Sequence, residues 1–152
     1  QAKLRRSGLA NWQVAAADHR RLPVGDRLAD VALAGWTIAQ FLVWSEPNWQ
    51  SEAEKVLAEM QRVAHPGGTI IILETLGTGD ATPRVPDRLA LYYSFLEKAG
   101  FASTWIRTDF QFESVAEAEA LIGFFFGVSA AQQIVKQNRV VPECTGIWWL
   151  NV

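Results

Sequence analysis

The stretch that decides the fold is LAEMQRVAHPGGTIIILET, Leu57 to Thr75. An amphipathic run stops at Pro66-Gly67-Gly68, and an isoleucine-rich run, Thr69 to Glu74, follows at once. The period of the apolar residues changes there from helical to extended. Upstream, Ser51 and Glu54 have the spacing of a capping box, and Ala53, Val56, Leu57, Met60 and Ala64 form one helical stripe. Further upstream, Ala29 to Gly35 is a nearly unbroken apolar run, the pattern of a strand covered on both faces. Strand, helix and strand in this order predict a βαβ unit with a right-handed crossover.

Working outward from this unit, Ala2 to Leu9 reads as the last turns of a helix stopped at Gly8, and Trp12 to Ala17 as a short strand ending at Asp18. Pro23, Gly25 and Asp26 mark a loop, and Trp36 to Gln50 is aromatic and irregular. Toward the carboxyl end, Leu76 to Pro86 reads as a loop and Asp87 as the cap of a helix reaching Ala99, with Gly100 as its stop. Ala102 to Phe112 reads as a strand. Ser114 with Glu117 opens a helix to Phe126, a second helical piece covers Ser129 to Asn138, and Thr145 to Leu150 is a final strand. No repeat or low-complexity linker interrupts the pattern, so residues 1–152 read as one domain.

Composition narrows the function classes. Of 152 residues, 49% are apolar and 20% charged, a globular balance. The net charge is −2, and the basic group Lys3, Arg5, Arg6 is too short for a nucleic-acid-binding face. No apolar run is long enough to span a bilayer, and the amino end does not read as a signal peptide. One cysteine, Cys144, excludes an internal disulfide and a cysteine-rich zinc site, which suits a reducing, cytoplasmic setting without metal. Seven tryptophans imply a large aromatic core or an apolar surface that needs a partner. Trp44, Trp49, Phe124, Phe125, Phe126, Trp148 and Trp149 are assigned mostly to core or interface.

Three segments together resemble the class I S-adenosylmethionine-dependent methyltransferases. They are VAAADHRRLPVGDRLADVALAGW (Val14 to Trp36), LAEMQRVAHPGGTIIILET (Leu57 to Thr75) and LALYYSFLEKAGF (Leu89 to Phe101). The resemblance implies an α/β Rossmann-like fold, its sheet mostly parallel with an antiparallel strand near the carboxyl end. It also implies methyl transfer to a small molecule. Asp18 would then accept from the adenine amino group, with His19, Gly35 and Trp36 beside the cofactor. Trp36, Thr37, Glu74, Tyr92 and Tyr93 would line the substrate pocket.

The family's glycine-rich turn and the acidic residue that bonds the ribose are missing: no G-x-G-x-x-G occurs, and eleven residues precede Trp12. The expectation is a domain truncated at the amino end, with impaired or lost binding of S-adenosylmethionine. Ala29 to Gly35, which resembles the family's fourth strand, would then be an open apolar edge, inviting a homodimer, a domain swap or a rearranged sheet in which Trp12 to Ala17 fills the gap. Two other function classes stay open. One is a cofactor-independent hydrolase with Cys144 as nucleophile, His19 or His65 as base and Asp18 or Glu143 as orienter. The other is a non-catalytic interaction subunit.

Overall fold

The computed structural model describes all residues except Gln1, Ser7, Ser45 and Glu46, and leaves undescribed the side chains of Ala2, Lys3, Leu42, Val43 and Trp44. The side chains of Lys3 and Trp44, both singled out above, therefore lie outside what is described. The elements follow in order: α1 (Ala2–Arg6), β1 (Ala29–Gly35), α2 (Ile38–Trp44), α3 (Trp49–Val63) and β2 (Ala64–Thr78) come first. After a 3-10 turn at Asp87–Leu89 come α4 (Ala90–Lys98), β3 (Ala102–Arg107) and β4 (Phe110–Gln111). The chain ends with α5 (Val115–Phe126), α6 (Val128–Val135), β5 (Val140–Val141) and β6 (Glu143–Asn151).

The main sheet has the order β1-β2-β6-β3. β1 and β2 are parallel, while β6 runs antiparallel to both β2 and β3. Three strands thus share one direction and β6 alone opposes them, as the sequence led us to expect.

The βαβ unit forms because one strand face and one helix stripe are apolar together. Ile70 and Ile72 of β2 are fully buried, and Ala53, Val56, Leu57, Met60 and Val63 of α3 are buried in the same cluster. Tyr92, Tyr93 and Leu96 of α4 complete that core. A second, smaller core joins Ala118 and Ile122 of α5 to Ala131 and Val135 of α6, with Val141 of β5. Gly79 lets this hairpin dock at the carboxyl end of β2, since a Cβ there would lie 3.2 Å from Ile134.

Several boundaries differ from expectation, each for a local reason. Trp12 to Ala17 is not a strand and does not fill the sheet; it is extended coil, largely exposed, with one isolated bridge at Asp18–Arg21. The irregular stretch contains α2. α3 begins two residues before Ser51, after Asn48, so the Ser51–Glu54 pair lies inside the helix and does not cap it. Asp87 begins a 3-10 turn with its backbone carbonyl, and no side-chain cap bond forms at its start. α3 ends at Val63, before Pro66-Gly67-Gly68, and those three residues lie within β2. A Cβ on Gly68 would lie 2.9 to 3.1 Å from the carbonyl oxygens of His65, Ala29 and Asp30, so only glycine lets β2 approach β1 there. The expected strand Ala102 to Phe112 breaks after Arg107 into β3 and β4. The Ser114 cap is as expected: its Oγ accepts from the Glu117 N–H at 3.1 Å, and Glu117 reaches back to the Glu113 N–H at 2.7 Å.

The tryptophans divide differently from expectation. Trp148 is buried, but Trp49 and Trp149 are half-buried, and Phe124, Phe125 and Phe126 are exposed at 81%, 71% and 47%. Trp36 and Trp105 are exposed as well.

Helices cover one face of the sheet. The register puts Val31, Leu33, Ile71, Leu73, Ile147, Trp149, Thr104 and Ile106 on the opposite face. No charged residue stands among these eight. Val31, Leu33 and Ile106 are exposed at 52%, 59% and 47%. β1 pairs with β2 alone and is an edge strand.

On the covered face, Gly146 lies under the ring of Trp148. A Cβ there would lie 2.5 Å from two ring carbons and 3.0 Å from Leu76. Replacing Gly146 with Ala overpacks this point and should cost about 1–3 kcal/mol. Chemical denaturation checks the loss of stability, and near-ultraviolet circular dichroism checks the displaced indole.

Candidate functional site

Two cavities flank the carboxyl end of β1, and α2 begins between them. The first is an apolar groove of about 370 Å³ along β1. His19, Leu22, Val31, Leu33, Gly35 and Thr37 line it, with Val56 and Met60 of α3 behind. The second is small, about 50 Å³, lined by Trp36, Ala39, Gln40, Glu74, Thr75, Arg88 and Leu89.

The loop before β1 is fixed by α3. Glu59 is only 9% exposed and accepts the Leu22 N–H at 2.6 Å, while Arg62 donates to Glu59 at 2.6 and 2.7 Å. Arg62 also donates to the carbonyl of Val24 at 2.9 Å and to Asp26. The Arg62 guanidinium beside Glu59 holds that carboxyl down at about 2. This staple places His19 and Leu22 against the groove.

Asp18 is placed otherwise than its implied role requires. Its carboxylate accepts from the Arg20 side chain at 2.9 and 2.6 Å and from the Arg20 backbone N–H at 2.8 Å. That guanidinium holds Asp18 well below the usual carboxylate range. Asp18 is exposed and does not line the groove, whereas His19 does, its ring set edge-on to Phe41 with the centroids 5.8 Å apart.

Trp36 follows β1 in the left-handed region, φ +50°, a conformation that costs a non-glycine residue roughly 1–2 kcal/mol. Its N–H donates to the Leu73 carbonyl at 2.8 Å, so pairing with β2 holds the strained residue in place. Strain at the carboxyl edge of an α/β sheet is a mark of a functional position. The strain is not readable from sequence, because nothing in Gly35-Trp36-Thr37 requires it.

Glu74 is the pronounced electrostatic feature. It is 2% exposed, and its Oε1 accepts the Ala39 N–H at 2.9 Å. No cation pairs with it. Burial pushes its carboxyl up to about 7, against the lowering effect of the Ala39 and Ile38 amides. Tyr92 and Tyr93 lie beside it from α4. The Tyr93 hydroxyl donates to the Thr75 carbonyl at 2.6 Å, and its ring stacks on Trp148 at 4.4 Å. The Tyr92 hydroxyl is buried without a partner. Burial and the Glu74 charge hold both phenols above their ordinary range. Neither tyrosine lines the small cavity; both lie in the core behind it.

Cys144 is fully buried, and its thiol lies 3.5 Å from the Asp80 carbonyl. Burial pushes the thiol up, away from the thiolate a nucleophile needs. Neither His19 nor His65 is hydrogen-bonded to it; His65 instead meets Asp30 at 2.8 Å and the Pro66 carbonyl at 2.7 Å. Glu143 accepts from Thr75 at 2.8 Å. Among the described residues no group of three His, Cys, Asp or Glu side chains is arranged to hold a metal, and no helix is long and apolar enough to cross a membrane.

S-adenosylmethionine would need polar partners for its ribose hydroxyls and its charged amino-acid end. The groove offers the side chains of His19 and Thr37 and is otherwise apolar. The lining suits one face of a purine but does not fit the whole cofactor.

Buried and partnered groups make the stability of the fold depend on pH. Glu74 and His65 both have raised values in the folded chain, His65 through the Pro66 carbonyl and Asp30. A raised folded value stabilises below the unfolded value, and that stability is lost as pH rises through the folded one. For Glu74 the window therefore opens at the ordinary value of a glutamate and closes near neutrality, and for His65 it opens at the ordinary value of a histidine and closes above it. Glu74 alone, moving from 4.5 to about 7, should remove on the order of 3 kcal/mol between pH 5 and pH 8. Urea titrations at the two pH values measure the loss. Glu74→Gln, which keeps a carbonyl for Ala39, should abolish most of it.

Residues 1–72 match the family model of the methyltransferase domain. A S-adenosylmethionine-dependent methyltransferase from Aquifex aeolicus superposes with a TM-score of 0.52 at 18% identity, over 99% of this chain and 61% of that one. A methyltransferase-like protein from Bacillus halodurans C-125 gives 0.51 at 14%, over 99% and 75%. The [4+2]-cyclase SpnF gives 0.51 at 20%, over 97% and 60%. The chain thus spans about three-fifths of the Aquifex protein. No curated protein matches it. The superpositions show that the chain shares its α/β fold with these proteins, and the methyltransferase-domain model matches its first 72 residues.

Proposed function

We propose that this chain forms the acceptor side of a S-adenosylmethionine-dependent methyltransferase site acting on a small molecule, and that by itself it binds the cofactor weakly or not at all. The single observation that carries this reading is the pair of cavities at the carboxyl end of β1. Open α/β sheets bind their ligands at that end. The apolar groove offers van der Waals contact to a purine, and the Glu74 cavity offers a polar floor to an acceptor. Glu74, Trp36 and Thr37 sit where methyl acceptor and cofactor would meet. The chain's own part in methyl transfer is to position the acceptor.

Affinity follows from what is missing. An intact site binding at micromolar strength gains about 8 kcal/mol. Hydrogen bonds to charged groups contribute about 1.5–3 kcal/mol each, so losing two or three leaves millimolar binding. Calorimetric titration with S-adenosylhomocysteine should show a Kd weaker than about 0.1 mM. Micromolar binding would overturn the reading of a half-built site. Asp18→Ala should leave whatever binding exists unchanged, because Asp18 is held by Arg20 outside the groove.

A second reading, a self-associating module, is favoured by the open β1 edge and its uncharged neighbouring face. The occupant is a second copy of the chain. Two β1 strands paired antiparallel about Ala32 would set Val31 of each against Leu33 of the other, on one face. Asp30, the only charge on the strand, would then face Ala34, so no like charges meet. The edge carries no proline or lysine to block such pairing. Light scattering should give twice the mass of the chain, and Leu33→Lys should return it to one. A wild-type monomer at high concentration would exclude this reading.

A further inference from the structure

We propose that the cavity floored by Glu74 is a binding site for a neutral hydroxyl group, with Glu74 as the acceptor that orders it. The inference rests on reading this end of the sheet as the acceptor side, and it specifies the chemistry that side would recognise.

The geometry carries the argument. Glu74 is 2% exposed yet lines a cavity of about 50 Å³, room for the head of a small molecule and little more. Its Oε1 takes the Ala39 N–H at 2.9 Å, and a carboxylate has about four acceptor sites, more than the Ala39 and Ile38 amides use. The wall is the side chain of Trp36, exposed at 47%, whose backbone N–H donates to the Leu73 carbonyl. The rim carries Arg88, which forms no ion pair among the described residues.

These groups select by charge and by hydrogen bonding. A buried carboxylate without a cation calls for a donor. An ammonium donor would have to pass the Arg88 guanidinium, whereas a hydroxyl would not. An ether of the same shape offers no proton and leaves the carboxylate unsatisfied. Rejection of such an analogue is far stronger than rejection by shape alone. The charged and titratable groups that face Glu74 are Tyr92 and Tyr93 from α4 and Arg88 from the 3-10 turn; α2 and β1 bring none. Since burial raises Glu74 to about 7, its acceptor strength should change across neutrality. Phenol, with a pKa of about 10 like tyrosine, stays neutral over that range.

The test uses the intact chain, phenol as probe and anisole as control, with the indole N–H signal of Trp36 followed by NMR. No cofactor is present, so the outcome is independent of the S-adenosylhomocysteine titration. Phenol should shift the Trp36 signal saturably at pH 8, at least threefold more weakly at pH 5.5, and anisole should not compete. Glu74→Gln should remove the pH dependence while the signals of the distant α5–α6 hairpin stay in place. Equal binding of phenol and anisole would overturn the proposal, as would no saturable shift with phenol. A pH dependence that persists in folded Glu74→Gln would do the same. The phenol–anisole comparison on the wild-type chain decides the matter even if the variant does not fold.

Discussion

The two-sided pairing of β2 is the constraint on which the rest of the structure depends. β2 is bonded to β1 on one side and to β6 on the other, and β6 in turn carries β3. Ile70, Ile72 and Leu76 alternate inward from it and are buried beneath the helices. Each buried isoleucine contributes roughly 1.5–3 kcal/mol relative to exposure. Both cavities are consequences of this arrangement. β2 ends further along than β1, so Glu74 and Thr75 continue the sheet where Trp36 has already turned away. The gap between the two strand ends is the small cavity.

The opposite face of the sheet shows what the same pairing leaves unresolved. An outer sheet face exposed to water normally carries polar residues. Here it carries Val31, Leu33, Ile71, Leu73 and Ile147, a composition made for burial. The register is nevertheless fixed, because slipping β2 by one residue would place Glu74 on that face and expose Ile70 and Ile72. The covered face alone is therefore sufficient to specify the strand order. The exposed apolar residues on that face, Val31, Leu33 and Ile106, favour association.

The sequence made the βαβ unit legible because two different periods meet at Pro66-Gly67-Gly68. The stripe of α3 and the run of β1 appear as expected. Trp12 to Ala17 misled because a short apolar run is a strand only if a neighbouring strand offers its backbone a ladder, and none does. α2 was missed because Ile38 to Trp44 is apolar but for Gln40 and too short to show an amphipathic period. Its first turn is specified from a distance, by Glu74 accepting the Ala39 N–H, 35 residues away in sequence. The Pro-Gly-Gly segment reads as a stop, yet here glycine serves close strand approach. Of the site, the residue identities at the sheet's carboxyl end were legible through resemblance. Their division into two cavities was not, nor was the capture of Asp18 by Arg20, since both depend on side-chain geometry.

Glu74 joins fold and site because a single carboxyl serves both. Among the described residues it is the only charged side chain buried between β2 and α2, and the helix above it begins on that carboxyl. A hydrophobic residue of the same size would pack there but would leave the Ala39 and Ile38 amides without a partner, at about 1–3 kcal/mol each. A permanently charged group would lose more to desolvation than two amides return. A carboxyl near neutrality is the compromise: protonated, it is tolerated by the core; ionised, it is held by the amides. That balance makes the start of α2 sensitive to whatever donor enters the cavity beside Trp36. The placement of an apolar helix and the recognition of a ligand are thereby tied to the same oxygen atoms.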